Sequence, residues 1–148
     1  MKSPATLIRR FFAAYAKRMN DALLPTPKID TPGVIDSFAD YFVEASPHGV
    51  NGGKNGVLLR LTIPRGFAFY RKIGATAMRV SSLRITRLDP LHYLARVGWD
   101  SRYVTKRGIK KRIRFTNIYF VQLQQGKPRI FAYITGDEQK VLKKYGLT

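Results

Sequence analysis

The side chains best suited to acid–base work near neutral pH are two histidines, His48 and His92. His48 lies between Pro47 and Gly49, after an expected second helix, so it is either an acid–base group or a solvated loop residue. His92 and Asp100 share one face of an expected strand, but eight residues of strand set them ~26 Å apart, too far for a dyad. A second group, Tyr15, Trp99, Asn117 and Tyr119, puts two phenols, an indole and an amide among aliphatic neighbours. Such a wall suits an apolar ligand with a few polar handles, or else a filled aromatic core. The amide of Asn117 favours the pocket, because aliphatic neighbours cannot satisfy it.

A third group is electrostatic. Lys106, Arg107, Lys110, Lys111, Arg112 and Arg114 crowd one expected hairpin tip. Together with Arg84, Arg87, Arg96 and Arg102 they could line up as a stripe that neutralises phosphates. No RNA-recognition or helix-turn-helix signature accompanies them, and the aromatic residues fall on the opposite face, away from any stacking role. The Gly-Gly-Lys of residues 52–54 is not a P-loop, since Asn55 replaces the required Ser or Thr. With no cysteine and two histidines, no metal-ligand spacing is visible, and nothing indicates a cofactor.

A chain of 148 residues predicts one domain, residues 1–148, able to bury roughly 70% of its unfolded surface. An apolar content of 45% fits a soluble globular protein. The longest apolar run, Phe11 to Ala16, is far too short to span a bilayer. Arg9-Arg10-Phe11-Phe12 has the look of a twin-arginine export signal, but Lys17 and Arg18 close its apolar stretch, so a cytoplasmic location is expected. The net charge is +18, carried very unevenly. Residues 1–59 hold seven cations and five acids, and residues 60–148 hold twenty and four. A field of that kind attracts polyanions.

Hydrophobic rhythm changes near Gly74. Before it, Leu7, Ile8, Phe11, Phe12, Tyr15, Met19 and Leu23 form one face of a helix from about residue 4 to 23, with Ser3 as N-cap. Thr31-Pro32 then reads as the start of a second helix whose stripe is Val34, Ile35, Phe38, Tyr41 and Phe42, followed by a loop over 48–56. Residues 57–63 fit either a strand or the first turns of a helix kinked at Pro64, and the helix is the preferred reading. After Gly74, alternation predicts strands at 77–88, 91–105, 110–124 and 128–135, joined by short turns and therefore antiparallel. A last helix runs from Asp137 to Tyr145. The outer face of the strands is basic yet carries Leu94, Ile118 and Phe120, which suggests a partner surface, most simply a homodimer.

Several segments resemble the nuclear-transport-factor-2-like, or SnoaL-like, superfamily. They are residues 8–15 of the first helix, residues 37–44, Tyr70-Arg-Lys-Ile-Gly74, Phe115-Thr-Asn-Ile-Tyr119 and Gly126-Lys-Pro-Arg-Ile-Phe131. The resemblance implies an α+β cone, a strongly bent antiparallel sheet wrapped around the N-terminal helices, with a pocket at the open end near His48. It does not imply one chemistry. The ketosteroid isomerase pattern fails here: its oxyanion-hole tyrosine would fall near Phe11, and its general-base aspartate near Ala45 or Ser46. The Asp-Arg-Asp relay of the epoxide hydrolases also lacks inward acids on the strands. The chain reads as a pocket for a small, largely apolar molecule, compatible with a cofactor-free lyase, cyclase or hydrolase. The competing reading is a non-catalytic module that binds nucleic acid, an acidic protein or another polyanion.

Overall fold

The structure, a computed structural model, describes residues 2–148. Helix α1, Pro4–Ala22, starts where the Ser3 hydroxyl accepts the Thr6 amide at 3.2 Å. Its apolar stripe is inserted into a six-stranded sheet, with Ile8 and Phe12 fully buried. Asn20 locks α1 to the sheet: its Oδ1 accepts the Met78 amide at 2.8 Å and its Nδ2 donates to the Met78 carbonyl.

Helix α2, Thr31–Asp36, is capped by Asp30, whose side chain accepts the Gly33 amide, so the start lies one residue before the predicted one. It lasts only six residues. Strand β1, Phe38–Ser46, follows, and turns at Pro47-His48 into β2, Gly49–Lys54. The expected second helix and the expected loop are thus mostly a β-hairpin. Phe38 and Phe42 are four residues apart, a spacing that suits a helix face and equally one face of a strand. Their rings sit 4.7 Å apart against the core, while Tyr41 is 68% exposed, which a buried helical stripe would not allow. Pairing on both edges of β1 outweighs local helical preference, which is weak for aromatics.

Helix α3, Val57–Lys72, confirms the helical reading of residues 57–63, with Pro64 inside it. Strands β3, Ala75–Arg87, β4, His92–Val104, β5, Lys110–Gln124, and β6, Lys127–Ile134, form the predicted meander. The sheet order is β2-β1-β6-β5-β4-β3. All neighbours are antiparallel except β1 and β6, which run parallel, so the expected purely antiparallel sheet is mixed at that seam. Bulges interrupt β3 against β4 and β5 against β6, and such bulges bend a sheet. Helix α4, Glu138–Lys144, is capped by Asp137 and lays Leu142 against Tyr103 and Ile113. The architecture is an α+β cone, open at one end. Among the described residues no helix is long and apolar enough to cross a membrane.

Candidate functional site

Alternation along β4 and β5 aims Trp99, Asn117 and Tyr119 into the cone, and Tyr15 meets them from α1. These four residues share the wall of an open cavity of about 870 Å³. Tyr15 lies with ring centroids 6.1 Å from Trp99 and 6.2 Å from Tyr119. The Tyr119 hydroxyl accepts from Trp99 Nε1 at 3.1 Å and from Asn117 Nδ2 at 3.2 Å. Its own proton has no acceptor among the described residues, and the Tyr15 hydroxyl has no hydrogen-bond partner there at all. Two phenolic donors are therefore unspent inside the cavity.

Burial pushes both phenols above their ordinary titration range, Tyr15 the further. Tyr70 and Tyr133, on the same cavity, are raised by burial and then by neighbouring carboxylates. Tyr133 donates to Glu44 Oε2 at 2.8 Å, and Tyr70 donates to Glu138 Oε1. All four phenols keep their protons at neutral pH, so they act as donors and never as bases.

His48 occupies the β1–β2 turn and lies on the rim of the same cavity. Its Nε2 stands 3.0 Å from Asp137 Oδ1. An ionised carboxylate only accepts, so Nε2 carries the proton and the lone pair of neutral His48 resides on Nδ1. The hydrogen bond from His48, then that from the Lys140 amide, holds the Asp137 carboxyl below its ordinary range. Asp137 thus caps α4 and orients His48 at once. His92 behaves otherwise. Its Nδ1 pairs with Asp89 of the β3–β4 turn at 2.8 Å and its Nε2 meets Gln122 of β5 at 3.1 Å, so both nitrogens are engaged away from the cavity wall described above.

Sequence reading missed Glu44, Tyr133, Tyr70, Asp137 and Glu138. Glu44 shares the parity of Phe38 and Phe42, a signal available only once 38–46 is read as a strand. Asp137 was visible as a helix cap, but nothing local tied it to His48, 89 residues away. Among the described residues no group of three or more His, Cys, Asp or Glu side chains could hold a metal.

The expected cationic stripe does not form as one surface. Register places Lys110, Arg112 and Arg114 on the outer face, while Lys111 stands opposite Tyr103 on the inner side. Arg112 is spent on Asp100, donating from Nε at 2.9 Å, and Arg102 adds a longer contact of 3.5 Å. The Arg112 guanidinium, above all, depresses the Asp100 carboxyl. Arg84 and Arg96 lie opposite one another on the outer face, whereas Arg87 pairs with inward Tyr93. Lys106, Arg107 and Lys111 instead join Arg71 and Lys72 of α3 around a separate surface concavity.

No protein-family model matches the chain, and no curated protein matches it in sequence. Solved structures do match in shape. An NTF2-like protein with a cystatin-like fold from Novosphingobium aromaticivorans aligns with TM-score 0.68 at 12% identity, over 97% of this chain and 87% of that one. Aln2 from a Streptomyces species gives 0.65 at 15% identity, over 97% and 98% of the two chains. A ketosteroid isomerase-like protein from Erwinia carotovora atroseptica gives 0.63 at 14% identity, over 92% and 97%. At these identities the likeness speaks for architecture alone. The cone, its inserted first helix and its cavity give this chain the nuclear-transport-factor-2-like fold.

Proposed function

We propose that the cone binds a small, largely apolar molecule bearing a carbonyl or similar acceptor oxygen, and that His48 is its base. The observation that carries this reading is the pair of unspent phenolic donors, Tyr15 and Tyr119, side by side on an aromatic cavity wall. Both residues line the open cavity, so an acceptor from outside the chain can take the two protons that no described residue accepts. In a water-poor site they would stabilise negative charge developing on that oxygen. Asp137 fixes the His48 imidazole with the Nδ1 lone pair free to accept a proton. Proton abstraction beside a carbonyl fits a lyase or cyclase, and activation of water fits a hydrolase. Neither step needs a cofactor.

Trp99 is the sole tryptophan and lines the cavity, so its fluorescence reports occupancy directly. Titration with the neutral quencher 1-nitronaphthalene should give saturable quenching, little changed by salt and weakened in Asn117→Phe, which narrows the cavity on the wall shared with Trp99. Quenching that stays linear, or that Asn117→Phe leaves intact, overturns the pocket. A homodimer through the outer sheet face, where Leu94, Ile118 and Phe120 interrupt the arginines, belongs to the same proposal. Sedimentation at graded concentrations tests it.

A further inference from the structure

Helix α3 turns two unlike faces outward and inward. Leu59, Ile63, Phe67 and Tyr70 face the protein, yet no residue of the helix is fully buried. On the other side Val57, Leu58, Leu61 and Phe69 are 74, 79, 58 and 44% exposed. At 100° per residue these four, with Ala68, fall in an arc of about 120°. Arg65 and Lys72 stand in the same arc, Arg60 and Arg71 stand on its far flank, and the helix carries no acid. The C-terminal end of this face runs into the concavity of Arg71, Lys72, Lys106, Arg107 and Lys111, where Lys72 belongs to both. Four large apolar side chains gathered on one exposed helix face make a patch of the kind that marks docking surfaces.

We propose that this face of α3 docks on an anionic lipid bilayer, with Val57, Leu58, Leu61 and Phe69 in the acyl boundary and the adjoining cations on lipid phosphates. Charge complementarity selects the occupant. A helix with four cations, no acid and an apolar stripe, in a chain of net charge +18, fits an anionic surface. A nucleic acid would use the cations but leave three aliphatic side chains in water. A second copy would set these four cations against its own with no acid between them, and a peptide would ask for a groove, whereas Val57, Leu58 and Leu61 line none of the principal cavities among the described residues. A fluid bilayer needs none. Phe69 also stands on the rim of the cone, so docking would set the cavity mouth beside the lipid.

The test is flotation of the full chain with vesicles of phosphatidylcholine alone and of phosphatidylcholine mixed with phosphatidylglycerol. Binding is expected only to the mixed vesicles, and the double variant Leu58→Glu, Leu61→Glu should weaken it roughly tenfold or more. Both positions are exposed, so thermal unfolding should be unchanged. Because the chain lacks cysteine, Val57→Cys accepts a single environment-sensitive label, whose emission should shift to the blue on the mixed vesicles. Three results overturn the proposal. The first is flotation unaffected by the double variant while Lys106→Glu, Lys111→Glu abolishes it, or a label that stays in water. The second is a wild-type dimer that the double variant dissociates. The third is absence of flotation with either vesicle.

Discussion

Substituting phenylalanine for Tyr15 and for Tyr119 removes one oxygen each, from rings 6.2 Å apart, yet the two changes should differ sharply. The Tyr119 oxygen accepts the indole proton of Trp99, a residue only 1% exposed. Without it the buried Nε1–H is orphaned, at a cost of about 1–3 kcal/mol. The amide of Asn117 also loses its acceptor, but it borders the cavity and water can replace the bond. Tyr119→Phe should therefore lower Tm by roughly 3–9 °C. The Tyr15 hydroxyl pairs with nothing among the described residues, so Tyr15→Phe should stay within about 0.5 kcal/mol of the parent or gain slightly. Urea unfolding followed by Trp99 fluorescence and far-ultraviolet circular dichroism measures both, with equal slopes expected. If Tyr15→Phe costs as much as Tyr119→Phe, the Tyr15 hydroxyl has an acceptor within the core. The claim of unspent donors would then fail, and the proposed ligand site with it.

Asp137→Asn keeps the α4 cap, since Asn caps as well as Asp, but loses the charge that orients His48. Thermal stability at neutral pH should fall only slightly, by the loss of the ionised carboxylate's bond with His48, while any turnover dependent on His48 should fall steeply. Gly74 has φ +94°, and a Cβ there would collide with the Val104 carbonyl oxygen. Gly74→Ala should cost at least about 2 kcal/mol by chemical denaturation, from left-handed strain and backbone displacement together. The carboxyls of Asp36, Asp100 and Asp137 are held low by Lys127, Arg112 and His48 respectively. Depressed folded values stabilise the protein above the unfolded carboxylate value of about 3.9, and that stabilisation is lost as pH falls through the folded values. The urea midpoint should therefore drop below about pH 4, and Asp100→Asn should lower it at neutral pH and flatten the acid limb.

Much of the architecture is written in local spacing. Ser3 capping α1, Asp137 capping α4, the alternation of Trp99 with Asp100 and of Asn117 with Ile118, and the turn at Gly126 all follow from side-chain period and backbone preference, whereas residues 57–63 fit strand and helix alike until the fold makes them helical. Those forces act within a few residues, so the sequence alone determines the first and last helices, the meander and the inward faces of β4 and β5. It also determines that the charge is lopsided. The strand at 38–46 is hidden because Phe38 and Phe42 satisfy both periods, and only hydrogen bonding to β6 and β2 decides between them. The same contact brings Glu44 to Tyr133 and swings His48 to Asp137, pairs separated by 89 residues in the chain. Asp100, read as one polar residue among arginines, proves to neutralise Arg112 because register sets the two within reach. The exposed stripe of α3 likewise depends on which side the sheet covers. Local rules fix the direction of a side chain along its own element, but charge pairing, burial and a shared cavity depend on what the fold sets opposite it.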